Sequence, residues 1–358
     1  METLQTPIFL FSLPRSGSTL TQRLLATHEE IATASEPWIL LPYLYTLRDR
    51  GVYADYEHKL AVEAIKDFCR LMPDGEQGYL SELREFVLRL YARASDGSTR
   101  YFLDKTPSYS LIAKEVMQLF PEGKFIFLWR NPLALVASML EAPWGTEAGE
   151  WNIYDTELVL FEGLEGLVEA YRRDRARVHV VRYEDIVADP YGELAKIFSY
   201  LELPHDPSSV DRLRTVKLEG KFKDPFGIKL YDRVSMEPLE KWKNTLVNPI
   251  RKAWCRRYLR WIGAERLALM GYEFDKLLAE LDSVPTSSQW LGSDVRNIGY
   301  GQFRHLYRAW IFKDEDYFLP GWVRDRARRS ILPDWLQAYQ AYIRRVRRGT
   351  LRKALRSR

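Results

Sequence analysis

The chain has 358 residues, of which 46% are hydrophobic and 28% charged, and its formal net charge is +4. This composition is that of a globular protein with a sizeable core, and it excludes a disordered chain. Two distant cysteines, Cys69 and Cys255, and five scattered histidines argue against a disulfide framework or a structural zinc site. We therefore expect a reducing, cytoplasmic location, no metal, no signal peptide and no membrane span.

The first predicted unit is a strand over residues 7–12, a short loop, and a helix over about 18–28. The loop Leu13–Thr19 has the sequence LPRSGST. A turn from a buried strand into a helix directs backbone N–H groups and the helix N-terminus to one spot, which favours an anion such as phosphate. Arg15 adds a fixed positive charge. The alternative is an ordinary turn in which one of the serines caps the helix.

This loop is not a good Walker A motif. That motif places Gly at its first position and Lys before its last hydroxyl residue, whereas here Leu13 stands first and Ser18 follows Gly17. Without this Lys, a kinase or NTPase would lack the positive charge that contacts the terminal phosphates. The loop therefore favours phosphate binding for another purpose, and a divergent kinase remains the alternative.

A second predicted strand, over residues 31–35, ends at Glu36. The proline after it keeps Glu36 out of the helical conformation. Because open parallel sheets bind ligands at the carboxyl ends of their strands, Glu36 is expected at the ligand-binding edge. Residues of about 38–100 are predicted to form a helical insertion facing the substrate, with helices over 60–72 and 82–94.

The rest of the body alternates between strands and helices. Strands are predicted over residues 101–104, 124–130 and 177–184, and helices over 109–120, over a segment that contains Ser138, and over 191–202. This alternation predicts an α/β fold with a mostly parallel sheet flanked by helices. Lys105 and Arg130 both stand at strand ends, as Glu36 does, so all three are expected at one edge.

Two motifs together resemble the cofactor signature of the sulfotransferases that use PAPS (3′-phosphoadenosine 5′-phosphosulfate). They are P-R-S-G-S-T at residues 14–19 and F-I-F-L-W-R-N-P-x₅-S at 125–138. D-K-T-P at 104–107 and R-Y-E-D at 182–185 are also frequent in that family. The resemblance extends over about residues 7–275 and implies a P-loop NTPase-like sheet.

The resemblance also implies roles for individual residues. The loop would hold the 5′-phosphosulfate, and Arg130 and Ser138 would hold the 3′-phosphate. Glu36 would be the general base, as in the tyrosylprotein members, and Lys105 with Arg15 would stabilise the leaving group. The implied cofactor-binding residues are Arg15, Ser16, Gly17, Ser18, Thr19, Arg130, Ser138, Tyr183, Lys241 and Lys243.

Each of these roles has a structural alternative. Glu36 is otherwise a cap or an ion-pair partner at a strand end, and Lys105 is otherwise paired with Asp104 or solvated. Tyr183 is equally well explained as a core aromatic residue. Lys241 and Lys243 are equally well explained as part of a solvated helix face.

The function implied is transfer of the sulfuryl group of PAPS to a hydroxyl or amine of a small molecule or glycan, giving PAP (3′-phosphoadenosine 5′-phosphate). Such a transfer needs in-line attack, a general base and stabilisation of charge, and Arg and Lys can supply the last without a metal. The alternative is a nucleotide-binding protein without sulfuryl chemistry, either a divergent kinase or a PAP-binding regulatory module. A regulatory module would not require Glu36 and Lys105.

The sulfotransferase domain is predicted over residues 1–282, followed by an aromatic, basic and mainly helical extension over 283–358. Residues 324–358 alone contain 12 Lys or Arg and 2 Asp. We expect the extension to pack on the body or on a second subunit, giving a homo-oligomer. Peripheral contact with a membrane surface is the less favoured alternative, and no nucleic acid is expected.

Overall fold

The computed structural model of the chain describes residues 5–49, 51–52, 54, 56–95, 98–142, 149–216, 218 and 234–299. These residues belong to a compact unit that extends over Met1–Gly301. Residues 302–358, which form most of the predicted extension, lie outside the described residues. The domain boundary predicted after residue 282, and the oligomeric and membrane roles of the extension, therefore stay predictions.

One sheet of five parallel strands organises the described residues. Its strands are β1 (Thr6–Ser12), β2 (Ile31–Thr33), β3 (Tyr101–Asp104), β4 (Lys124–Trp129) and β5 (Val178–Arg182). Their order across the sheet is β2-β3-β1-β4-β5, so β1 is central, between β3 and β4. The α/β prediction is confirmed, and because all pairs are parallel, the carboxyl ends of all five strands lie at one edge.

Helices connect these strands. They are α1 (Ser18–Leu25), α2 (Leu40–Tyr45), α3 (His58–Cys69), α4 (Gly75–Ala94), α5 (Ala113–Leu119), α6 (Pro132–Leu140), α7 (Leu164–Arg173), α8 (Tyr183–Ala188), α9 (Pro190–Tyr200), α10 (Glu237–Glu240), α11 (Trp242–Thr245), α12 (Pro249–Leu269) and α13 (Phe274–Ser283). Residues 291–299 are also helical. No helix among the described residues is both long and apolar enough to cross a bilayer.

The core lies on both faces of the sheet, because successive residues of a strand point to opposite faces. On one face, Ile8 and Leu10 of β1 join a cluster with side chains of α1 and α9. On the other face, Phe9 and Phe11 stack on Phe125 of β4, with ring centroids 5.9 and 6.0 Å apart. Each such buried side chain contributes roughly 1.5–3 kcal/mol of transfer free energy.

Several predicted boundaries differ from the structure. The helix predicted over 82–94 begins earlier, at Gly75, the helix over 18–28 ends at Leu25, and the strand over 31–35 ends at Thr33. The helix predicted over 109–120 is a 3₁₀ helix over Pro107–Leu111 followed by α5, which begins after a break at Ile112. The strand predicted over 177–184 ends at Arg182, and Tyr183 begins α8. Acidic residues in the first turn of α8 favour its helical start, because they complement the partial positive charge there.

A fully buried ion pair joins α12 to the segment after α13. Arg251 donates to Asp294 through Nε at 2.6 Å and through Nη2 at 2.8 Å, and both side chains are 0% exposed. Asn248 donates to the same carboxylate at 2.7 Å. The helical segment 291–299, which contains Asp294, is thereby held against α12 within the same compact unit as the sheet.

We predict that Asp294→Ala will lower the free energy of unfolding by about 3–5 kcal/mol, because it leaves a buried guanidinium without its counter-charge. The measurement is urea denaturation followed by circular dichroism.

Asp282→Ala is the matched control, because Asp282 pairs with Arg256 on the surface, where their side chains are 56% and 35% exposed. It should cost less than about 1 kcal/mol. Equal losses for the two variants would contradict the prediction.

Candidate active site

The loop after β1 has an unusual backbone where it enters α1. Helix α1 has Gly17 as its N-cap, at φ 88°, and no side chain caps it. The alternative that a serine caps this helix is therefore wrong, and among the described residues no side chain accepts from its first-turn N–H groups, which is the geometry that an anion site requires. Arg15 also has a left-handed backbone, at φ 66°, a conformation that costs about 1–3 kcal/mol in a residue with a side chain.

Tyr183 packs directly on this loop. A Cβ added at Gly17 would overlap the Tyr183 ring, so only glycine permits this approach. The guanidinium of Arg130 lies over the same ring, 4.6 Å from its centroid, which is a cation–π contact. Tyr183, a core aromatic residue in the structural alternative, is buried and at the same time forms a wall of the loop.

The two halves of the sulfotransferase-like signature meet at Arg15. Arg130 Nη1 donates to the Arg15 carbonyl oxygen at 2.5 Å, and Arg15 Nε lies 3.4 Å from Ser138 Oγ. Asn131 caps helix α6, since its side chain accepts from the Leu133 N–H, and every residue of α6 except Ser138 is buried. The helix therefore presents Ser138 to Arg15.

Glu36 and Lys105 form an ion pair at the ends of neighbouring strands. Lys105 Nζ lies 2.8 Å from Glu36 Oε1 and 3.5 Å from Thr19 Oγ1, in the first turn of α1. The side chain of Lys105 is only 2% exposed and that of Glu36 is 18% exposed. The alternative pairing of Lys105 with Asp104 is wrong, whereas an ion pair for Glu36 is present.

The second carboxylate oxygen of Glu36 also has a partner. Trp38 Nε1 donates to Glu36 Oε2 at 3.1 Å, and the Trp38 backbone is left-handed, at φ 60°. The ring of Trp38 is 39% exposed. Sequence patterns did not predict this contact, because nothing in the order of residues indicates that the chain reverses at Trp38.

Asp104 lies buried behind this ion pair, 1% exposed. Its carboxylate accepts hydrogen bonds from the hydroxyls of Tyr91, Tyr109 and Thr106. Burial raises the pKa of Asp104 to about 6, against the opposing effect of these three donors and of Lys105. Burial, together with the neighbouring carboxylate, also raises the pKa of Tyr109. This cluster was not predicted, although D-K-T-P marks its position in the sequence.

Two candidates lie apart from the residues described so far. Lys241 Nζ is 3.1 Å from Oε2 of Glu141, the residue that follows the last residue of α6. Lys243 pairs with Glu240. Both lysine side chains are about half exposed. These contacts fit the solvated-face alternative for Lys243, and they place Lys241 at the end of α6.

A model of the sulfotransferase family matches residues 7–207, more than half of the chain. The chain belongs to the sulfotransferase family. This finding confirms the family that the paired motifs resemble. The match includes β1 to β5 and every candidate residue except Lys241 and Lys243.

Individual relatives of this sulfotransferase-family chain are distant. It is 28% identical over 292 residues to nodulation protein NoeE of Sinorhizobium fredii, covering 74% of this chain and 65% of that protein. It is 27% identical over 165 residues to the omega-hydroxy-beta-dihydromenaquinone-9 sulfotransferase Stf3 of Mycobacterium tuberculosis, covering 42% of this chain and 40% of that protein. The chain thus spans less than two thirds of the length of these relatives.

Two further similarities were found. The chain is 24% identical over 201 residues to the protein-tyrosine sulfotransferase of Drosophila melanogaster, covering 55% of this chain and 38% of that protein. Among solved structures, it is similar to the sulfotransferase domain from the curacin biosynthetic pathway, with a TM-score of 0.47 and 23% identity, covering 68% of this chain and 92% of that domain.

We predict that Gly17→Ala will destabilise the chain for two reasons, the left-handed backbone and the overlap with Tyr183. Its loss of unfolding free energy should exceed that of Gly75→Ala by about 1–3 kcal/mol, the usual cost of overpacking. Gly75 is the control, because its φ is also positive, at 58°, and an added Cβ would meet nothing within 4 Å.

The measurement is urea denaturation of both variants. In a Tyr183→Ala background the two glycine substitutions should cost nearly the same, because the overlap is gone. An unchanged difference in that background would show that Tyr183 is not the cause.

Proposed function

We propose that this chain is a PAPS-dependent sulfotransferase, which transfers the sulfuryl group to a hydroxyl or amine of a small molecule or glycan. One observation carries the proposal. In a chain of the sulfotransferase family, the buried ammonium of Lys105 lies between the carboxylate of Glu36 and the hydroxyl of Thr19. A candidate base, a candidate cation and the anion-binding loop therefore meet at one strand edge.

The residues present fit a ligand with phosphate groups at two positions. The uncapped start of α1 offers backbone N–H groups, and Arg15 stands in the loop itself. Arg130 contacts the Arg15 carbonyl oxygen at 2.5 Å, and Ser138 Oγ lies 3.4 Å from Arg15 Nε. We assign the loop residues Ser16–Thr19 to the 5′-phosphosulfate, and Arg130 with Ser138 to the 3′-phosphate.

Bound PAPS would supply the sulfuryl group and a stable leaving group, PAP. The chain's own part is then to accept a proton, to hold charge and to orient the reactants. We assign the proton to Glu36, whose side chain is partly exposed and is oriented through both carboxylate oxygens. Lys105 and Arg15 carry the fixed positive charge next to the loop, where negative charge develops on the leaving oxygen.

The chemistry and two relatives support the proposed acceptor class. Two relatives are named for a hydroxylated menaquinone and for protein tyrosine, and both acceptors carry a hydroxyl. The exposed ring of Trp38, next to Glu36, is suited to contact an apolar or sugar face. A metal is not required by this proposal, and that, like the cytoplasmic location, stays a prediction.

We predict that Glu36→Gln will lower kcat by about 10²–10⁴-fold, the range for loss of a general base. The amide oxygen can still accept from Lys105, but the Trp38 N–H loses its acceptor and Lys105 its counter-charge. PAP affinity is therefore measured in parallel, and the role of base requires that kcat fall by much more than PAP affinity does. The measurement is transfer from ³⁵S-labelled PAPS to a panel of a phenol, a long-chain alcohol, a tyrosine peptide and an oligosaccharide.

Glu30→Gln is the matched control, since Glu30 lies at the opposite end of β2 and accepts from the Arg100 N–H. It should leave kcat within about twofold, as expected of a surface change. Normal turnover by Glu36→Gln would show that another group is the base.

We predict that PAP and PAPS bind at least about 10-fold more tightly than ATP or GTP, because a 3′-phosphate gains charged hydrogen bonds. Arg130→Ala should weaken PAP binding by about 10- to 100-fold. The measurement is isothermal titration calorimetry.

Arg100→Ala is the control for charge alone, because Arg100 lies at the amino end of β3 and pairs with Glu202. It should leave PAP affinity unchanged. Tighter binding of ATP with magnesium than of PAP would contradict the proposal and favour a divergent kinase.

A further inference from the structure

Two of the hydroxyl groups that donate to Asp104 also accept hydrogen bonds from the backbone of residues 38–40. Thr106 Oγ1 donates to Asp104 Oδ1 at 3.0 Å and accepts from the Trp38 backbone N–H at 3.4 Å. The Tyr109 hydroxyl donates to Asp104 Oδ2 at 3.1 Å and accepts from the Leu40 backbone N–H at 3.1 Å. Two hydrogen-bond chains therefore start in residues 38–40 and end on one buried carboxylate.

The charge of Asp104 sets the direction of both chains. An ionised carboxylate can only accept hydrogen bonds, so both hydroxyl protons point inward. The oxygen lone pairs of Thr106 and Tyr109 then face the N–H groups of residues 38–40. The groups that face Asp104 are the hydroxyls of Tyr91, Tyr109 and Thr106 and the ammonium of Lys105, and all four favour its ionised form, against the effect of burial, which raises its pKa.

The segment held in this way carries the candidate base. Trp38 has a left-handed backbone, at φ 60°, which a tryptophan adopts only when its surroundings impose it. Its indole N–H donates to Glu36 Oε2. Asp104 and Lys105 are successive residues at a strand end, where side chains alternate in direction, so one anchors residues 38–40 while the other pairs with Glu36.

We propose that Asp104 is a positioning residue, which holds Glu36 in place through the Thr106 and Tyr109 hydroxyls and the Trp38 backbone. This inference rests on the proposed function, because it assigns Glu36 its catalytic orientation. Asp104 is only 1% exposed, so it acts through its neighbours. Its carboxylate fixes residues 38–40, and the Trp38 indole and the Lys105 ammonium then fix both oxygens of Glu36.

The first test is hydrogen–deuterium exchange of a peptide that contains Trp38 and Leu40, measured by mass spectrometry on the full chain. Thr106→Val and Tyr109→Phe each remove one of the two hydroxyls that link the backbone of residues 38–40 to Asp104. Each variant should speed exchange there by roughly 10-fold. Thr106→Ser keeps the hydroxyl and should restore slow exchange.

The matched control is Tyr101→Phe. Tyr101 is also a buried tyrosine at β3, but its hydroxyl donates to the Leu201 carbonyl oxygen at 2.7 Å. It should lower stability much as Tyr109→Phe does without speeding exchange at residues 38–40.

The second test is kinetic, with ³⁵S-labelled PAPS and whichever acceptor of the panel the wild type uses. Thr106→Val and Tyr109→Phe should lower kcat by about 10- to 100-fold through misplacement of the base, with KM for PAPS unchanged. Thr106→Ser should recover most of the activity, and Tyr101→Phe should behave like the wild type.

The inference is overturned if Thr106→Val and Tyr109→Phe match Tyr101→Phe in both exchange and kcat. If one of them does not fold, the other decides. Failure of the proposed function looks different, because the wild type would then transfer no label or Glu36→Gln would be fully active. The exchange measurement needs no transfer reaction, so it tests the hydrogen-bond chains in either case.

Discussion

The buried ion pair of Lys105 and Glu36 constrains the whole strand edge. An ammonium that is almost fully removed from water requires a counter-charge and hydrogen-bond partners, since its desolvation costs several kcal/mol. Glu36 supplies the charge at 2.8 Å and Thr19 a further oxygen at 3.5 Å. The ends of β2 and β3 and the start of α1 must therefore stay in register. The groups proposed to take a proton and to stabilise the leaving oxygen are thus held together by the electrostatics of folding.

Parallel pairing supplies the rest of the geometry. Because β4 pairs with β1 with Ser12 opposite Leu128, the residues that follow these two strands emerge side by side. Arg130 then reaches the Arg15 carbonyl oxygen, and Tyr183, after β5, covers Gly17. Two sequence motifs more than a hundred residues apart become one site through this register. The contact of Arg15 with Ser138 adds a side-chain link between the halves.

The buried carboxylate of Asp104 is compensated by a network of hydroxyl groups. Asp104 is removed from water, which raises its pKa, and three hydroxyl donors compensate for part of that loss. Such a network is stable only if each member is satisfied. Two of its hydroxyls also accept from the backbone near Trp38, so the same network supports a strained backbone next to Glu36.

The sequence alone determined the α/β alternation, the strand–loop–helix turn at Leu13–Thr19, the strand-end positions of Glu36, Lys105 and Arg130, and the resemblance to sulfotransferases. Apolar runs and short motifs carry that information locally. Only the tertiary structure decided that Lys105 pairs with Glu36 and not with Asp104, that Gly17 caps α1, and that Trp38 turns back onto Glu36. These outcomes depend on strand register and on which groups lose contact with water, and both are properties of packing between segments distant in sequence.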